Sequence, residues 1–290
     1  MNQTAELSAD ARELQKGDRM NEVGYVNGET RIFAIVGHPI AQVRSPEMVT
    51  AELVRRGRNA ILIPIDVLPQ DFDACLAQLM RVANLDGLIF TIPFKQAACR
   101  LASALGEQAR SVGAINALAR GREGWVGEVF DGLGCVEAFQ RAGHSFKNQR
   151  VMLIGAGGAG RAIAFAVATA GPRSLRIFDI DAERASRLAA SIAELNPGID
   201  ARFGKPTVEA IDILMNASPV GMLSDPRMPI EVGQIPPAVI VFDAIVKPEP
   251  TRLLELAQQS GCRTVFGRQM MHGQISKVVD HFEQHNATLA

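Results

Sequence analysis

The sequence predicts an α/β protein of two domains with mainly parallel sheets. Three observations lead there. The chain has 290 residues, room for roughly two domains at about 150 residues each. From Arg31 onward short apolar runs alternate with stretches of helical periodicity, and such alternation places parallel strands side by side with helices over both faces. A second series of the same kind opens at Val151 with a strand, a glycine-rich turn and a helix.

In chain order, residues 1–30 read as a polar extension, with a helix expected over 6–14. RIFAIV (31–36), AILIPI (60–65) and DGLIFTI (86–92) read as buried strands. The stretches 46–57 and 70–82 carry apolar residues at helical spacing, such as Phe72, Leu76, Leu79 and Met80. Ser45-Pro46-Glu47 sets a capping residue before a first-turn proline. A helix over 132–143 leaves through Gly143-His144-Ser145. The second series runs through strand VMLIG (151–155), helix 158–170, strand LRIFD (175–179), helix 182–195, strands DILMN (212–216) and VIVFD (239–243), helix 251–260 and a short strand near Thr264. A last helix spans about 271–286.

Composition removes several function classes. Apolar residues make up 47% and charged residues 21%, the balance of a folded chain. Thirty basic against 31 acidic residues leave a net charge of −1, which argues against nucleic-acid or anionic-membrane partners. One Trp and one Tyr give little for stacking on bases. Cys75, Cys99, Cys135 and Cys262 lie far apart without zinc spacing, and are expected as reduced, mostly buried thiols of a cytoplasmic protein. No run nears the ~18 apolar residues of a membrane span, and no signal peptide opens the chain. No metal site is expected: His281 and His285 share a helical face without a third ligand and read as solvated. His38 reads as polar lining of a cleft; Met215, Met222, Met270 and Met271 as packing of the core or cleft floor.

Gly155-Ala156-Gly157-Gly158-Ala159-Gly160 reads G-x-G-x-x-G, preceded by VMLI and followed by the alanine-rich helix. Strand, glycine turn and helix together aim backbone N–H groups and the positive helix end at a pyrophosphate. This marks the second domain as a Rossmann-type dinucleotide-binding unit. Asp179 ends the next strand, 24 positions after Gly155, near the ~20 expected of an acid on the adenosine ribose. A carboxylate there favours NAD over NADP. NADP stays open through Arg184, which could turn toward a 2′-phosphate, and Asp179 has the alternative of merely capping the next helix.

Seven segments in one order, GHPIAQVRSP (37–46), TIPFK (91–95), GAINAL (113–118), FDGLG (130–134), GAGGAGRA (155–162), NASPVGM (216–222) and GRQMMHGQ (267–274), resemble the shikimate dehydrogenase family, including its quinate/shikimate dehydrogenases. The resemblance covers the chain from about Arg31 to the last helix. It implies a substrate-binding catalytic domain over 31–132, a dinucleotide-binding domain over 133–266, and a C-terminal helix, 267–290, returning to the first domain. It implies that Lys95 and Asp131 form a catalytic pair, that Thr91, Asn116 and Gln274 bind substrate hydroxyls, and that Ser45 binds the substrate carboxylate. By the same likeness Gly155, Ala156, Gly157, Gly158 and Ala159 form the pyrophosphate loop, and Ala244 and Gly267 flank the nicotinamide.

The chemistry of the pair stands apart from the likeness. Oxidising a secondary alcohol requires removal of a hydroxyl proton as hydride leaves. A lysine can accept that proton and a carboxylate can orient it. The bland alternatives are a solvated helix-start lysine and a turn or capping aspartate.

Departures from the family cluster at the substrate. Gln42 and Val43 replace a histidine and the first of two serines, with Arg44 a charged neighbour. Val129 and Phe130 replace an Asn-Thr pair, Phe94 replaces a histidine, and Val246 replaces a tyrosine. The expected function is therefore an NAD(P)-dependent dehydrogenase of shikimate or a related hydroxylated cyclic carboxylate such as quinate, acting on a small molecule as monomer or homodimer. The competing class is a dinucleotide-binding sensor or regulatory module without turnover.

Overall fold

A computed structural model describes residues 26–286; the helix expected over 6–14 lies outside the described residues. The first sheet contains β1 (Arg31–Gly37), β2 (Ala60–Asp66), β3 (Leu85–Phe90), β4 (Ala104–Leu105), β5 (Ala117–Gly121) and β6 (Gly124–Glu128), in the order β2-β1-β3-β5-β6-β4. β1 lies parallel to β2 and β3. Helices α1 (Ser45–Arg55), α2 (Phe72–Leu79) and α3 (Glu107–Val112) belong to this half of the chain.

β5 pairs antiparallel with β3 and with β6, and this hairpin is absent from the sequence-based expectation. Its strands carry glycines and Arg120 rather than an apolar run. They become strands because β3, buried along its whole length, needs a partner for its second edge.

The second sheet contains β7 (Arg150–Ile154), β8 (Ser174–Phe178), β9 (Asp200–Phe203), β10 (Ile213–Asn216), β11 (Ile240–Asp243) and β12 (Arg263–Phe266), all parallel, in the order β12-β11-β10-β7-β8-β9. β9 is a short, largely exposed edge strand with no apolar run to announce it. The helices are α4 (Asp131–Arg141), α5 (Gly158–Thr169), α6 (Ala182–Leu195), α7 (Arg252–Gln259) and α8 (Gly267–His285).

α8 starts earlier than expected because the Gln269 side chain accepts the Phe266 N–H at 2.7 Å, closing the first turn. It then packs along α4, where Gly134 and Gly273 face each other without side chains between them. Farther on it meets the first sheet. Phe282 lies 4.7 Å, centre to centre, from Phe33, and Arg56, just past α1, pairs with Asp280 at 2.6 Å and Glu283 at 2.7 Å.

Two bland expectations are corrected. His281 is buried, not solvated, with Nε2 3.0 Å from the Val126 carbonyl, and burial pushes its imidazole pKa down to about 4. Of the cysteines only Cys135 is fully buried, and Cys75 is exposed. No helix among the described residues is long and apolar enough to cross a membrane.

Candidate active site

From β7 the chain winds outward through β8 and β9 on one side; β10 to β12 lie on the other. The ends of β7 and β10 therefore flank a crevice, the place where such sheets take ligands. Gly155, just after β7, has φ +104°, and a Cβ there would stand 2.7 Å from the backbone of Ala217 and Ser218 beyond β10. Only glycine fits. Gly157 begins α5 with no side-chain cap, leaving first-turn N–H groups for a ligand.

A cavity of about 910 Å³ opens here, lined by Gly155, Gly157, Gly158, Ala159, Asp179, Ile180 and Arg184 among others. Its size, open glycine backbone and helix start fit a dinucleotide. Ala156 does not line it. That residue is fully buried, and its N–H donates to Asp179 Oδ2 at 2.7 Å.

Asp179 sits just past β8, and its Oδ1 accepts the Asp181 N–H at 3.0 Å. The cap of α6 is Asp181, whose carboxylate accepts the Arg184 N–H at 3.0 Å. Asp179 as helix cap is thereby corrected. That backbone hydrogen bond, more than the Arg184 charge, holds the Asp181 carboxyl below the usual range. The Arg184 guanidinium lies 3.6 Å from Asp179 and 3.3 Å from Asp181.

A second cavity, about 190 Å³, lies between the two sheets. Ser45, Thr91, Asn116, Asp131, Ala244, Gly267 and Gln274 all line it. Lys95 and Ala159 line both cavities. The Lys95 Nζ donates to Asp131 Oδ2 at 2.5 Å, with side chains 13% and 4% exposed. Lys95 is thus no solvated helix-start lysine, and Asp131 occupies the first turn of α4 without capping it.

Local packing holds both in place. Beside Lys95, Phe94 is buried and stacks on Phe72 at 4.4 Å, a hydrophobic anchor for the segment. The Ile115 N–H donates to the Lys95 carbonyl at 2.8 Å. Before Asp131, the Phe130 N–H donates to Asn116 Oδ1, while Asn116 Nδ2 donates to Gln274 Oε1, both at 3.0 Å. Asn116 so ties β5, the start of α4, and α8 together.

Ala217 and Ser218 also line both cavities and went unassigned in sequence reasoning, although NASPVGM was the signal. Ser218 Oγ donates to Asn216 Oδ1 at 2.7 Å, shaping that turn. Lys247 was missed as well, and it lines the smaller cavity. His38 pairs with Asp66 at 2.8 Å and lines neither cavity. Met222, Met270 and Met271 form part of the smaller cavity's wall, and Met215 is core. Asp243, fully buried at the end of β11, accepts from Thr251 Oγ1 at 2.7 Å and from Ile245 N and Asn216 Nδ2 at 3.1 Å. Burial pushes its carboxyl up to about 7.

Known proteins resemble this chain over most of its length. Residues 35–118 match the shikimate dehydrogenase substrate binding domain. A shikimate dehydrogenase (NADP(+)) of Moorella thermoacetica is 33% identical, covering 85% of each chain. A quinate/shikimate dehydrogenase (NAD(+)) of Corynebacterium efficiens is 32% identical over 89% of this chain and 93% of its own. Among solved structures, a shikimate dehydrogenase in complex with NADP+ superposes with TM-score 0.82 at 26% identity, over 90% of this chain and 92% of the other. With likeness of this depth across both halves of the fold, the chain belongs to the shikimate dehydrogenase family.

Proposed function

We propose that this protein is an NAD(P)-dependent oxidoreductase that interconverts shikimate, or a related hydroxylated cyclic carboxylate such as quinate, with its 3-dehydro ketone. The observation that carries the reading is Lys95, which lines both the dinucleotide-sized cavity and the smaller one and is bonded to Asp131. A nicotinamide dinucleotide in the larger cavity supplies the hydride acceptor. The substrate occupies the smaller cavity, so that its reacting carbon faces the junction.

In the oxidative direction the neutral Lys95 amine takes the hydroxyl proton at the substrate oxygen and becomes an ammonium, and Asp131 keeps the amine and the hydroxyl in line. In reduction the same ammonium returns a proton to the carbonyl oxygen. Thr91, Asn116 and Gln274 contact ring hydroxyls, and Ser45 contacts the carboxylate. Gly155, Ala156, Gly157, Gly158 and Ala159 form the pyrophosphate loop; Ala244 and Gly267 border the nicotinamide. This divides the chain into a substrate-binding domain over 31–132, a dinucleotide-binding domain over 133–266, and the returning segment 267–290.

NAD is the preferred cofactor on this reading. Asp179 lines the larger cavity beside the expected adenosine ribose, Asp181 follows two positions on, and Arg184 already faces both. A 2′-phosphate would meet like charge there.

The test is a spectrophotometric screen of shikimate, quinate and simple alcohols with NAD and NADP. Turnover of a cyclic acid and not of simple alcohols is expected. Tight dinucleotide binding without turnover of any substrate would point to the sensor reading.

A further inference from the structure

Counting charge around the smaller cavity leaves one cation over. Three basic residues line it, Arg44, Lys95 and Lys247, against one acid, Asp131. Lys95 is bonded to Asp131. Arg44 is bonded to Glu47 on the next turn of chain. Lys247 is only partly exposed, yet among the described residues it makes no hydrogen bond or ion pair. No buried side-chain nitrogen or oxygen among the described residues lacks a partner, so the Lys247 ammonium reaches solvent. A partly buried lysine in the wall of a small cavity, without a counter-charge among the described residues, is an arrangement that favours an anion.

The surrounding wall agrees. Val43 and Val246 also line the cavity, and neither side chain can donate a hydrogen bond. The hydroxyls of Ser45 and Thr91 have no partner among the described residues, but neutral hydroxyls alone grip a carboxylate weakly compared with a charged donor. Lys247 follows β11 of the second sheet, whereas Ser45 opens α1 and Thr91 follows β3 of the first. All of them line one cavity of about 190 Å³.

We infer that Lys247 is the specificity residue that binds the carboxylate of the substrate, reaching across from the nucleotide side of the cleft. The inference rests on the cyclic carboxylate reading above. The bound carboxylate then bridges Lys247 and Ser45, and so joins the two halves of the molecule around the Lys95–Asp131 pair.

The experiment compares shikimate with its carboxamide in the wild type, Lys247→Met and Lys247→Arg. The wild type should prefer the acid. Lys247→Met should raise KM for shikimate by ~10- to 100-fold with kcat within about threefold, leave the carboxamide nearly unaffected, and so erase the preference. Lys247→Arg should retain most of it. Equal use of acid and amide by the wild type, or a preference that survives in Lys247→Met, overturns the inference and leaves the dehydrogenase reading intact. If no enzyme form turns over either compound, that reading fails. Calorimetric titration with cyclohex-1-ene-1-carboxylate then decides: binding by the wild type that weakens in Lys247→Met supports the anion seat, and equal or absent binding overturns it.

Discussion

Gly158 lies directly against the stem of Lys95: a Cβ on Gly158 would stand 2.9 Å from Lys95 Cβ and 3.3 Å from its Cδ. The first turn of the nucleotide-side helix and the proposed proton-transfer lysine therefore share one contact. Gly158→Ala should displace Lys95 from Asp131, because the obstacle is the Cβ and not a mobile chain end. We expect kcat to fall about tenfold or more, since displacements near 1 Å cost up to about 10² in rate. Thermal stability should change little, alanine being a better helix former than glycine. Steady-state kinetics beside a melting curve test this, and an unimpaired kcat would sink it.

Lys95→Ala should remove turnover by about 10²–10⁴-fold while cofactor affinity stays close to wild type. Asp131→Asn should also reduce turnover severely, because the amide keeps the shape and loses the charge. The 2.5 Å contact makes the two one unit, so the double variant should be little worse than the poorer single one. Fully multiplicative losses would mean separate roles; more than about a third of wild-type rate in Lys95→Ala would remove it from the chemistry.

The wild type should use NAD with higher kcat/KM than NADP, and Asp179→Ser should narrow the gap. The structure adds a qualification to that variant. Asp179 also accepts the Ala156 N–H, so its loss loosens the glycine loop and should weaken NAD binding as well as relieve repulsion of NADP. Asp181→Asn keeps a side-chain oxygen to cap α6 and removes only charge, so it should improve NADP while sparing NAD. A wild type that prefers NADP would show that Arg184 turns from both acids to the 2′-phosphate.

His281 gives a stability prediction with a definite sign. Its folded-state pKa, about 4, lies below the ordinary 6.5, so the unfolded chain takes up the proton first. The stabilisation is complete above about pH 6.5 and is lost as pH falls toward 4. Asp243, raised to about 7, acts in the opposite direction over an overlapping range. The comparison is therefore wild type against His281→Gln: the difference in unfolding free energy should shrink by about 1–3 kcal/mol between pH 7 and pH 4.5. Denaturant melts at several pH values measure it, and parallel profiles for the two proteins would contradict it.

The sequence by itself determined the alternation of strands and helices, the central parallel strands of both sheets and the glycine turn. These rest on local signals: apolar runs, helical periodicity, and a turn that tolerates no Cβ. It also named eight of the residues that line the smaller cavity, Ser45, Thr91, Lys95, Asn116, Asp131, Ala244, Gly267 and Gln274, through the family resemblance, and all but Ala244 stand inside one of its seven segments. What had no local signal had to wait for tertiary structure. β5 and β6 are strands because β3 has an edge to satisfy, not because their own sequences alternate cleanly. His281 shares a helical face with His285, and only the arrival of α8 on the first sheet decides that this face is buried against Val126. Asp179 and Asp181 are two positions apart and alike in chemistry; the path of the chain after β8 makes one hold the glycine loop and the other cap the helix. Lys247 lies in no motif, and its importance is a matter of subtraction. The two other cations lining that cavity are paired with acids and Lys247, among the described residues, is paired with none, a relation among side chains from both halves of the fold that no spacing along the chain encodes.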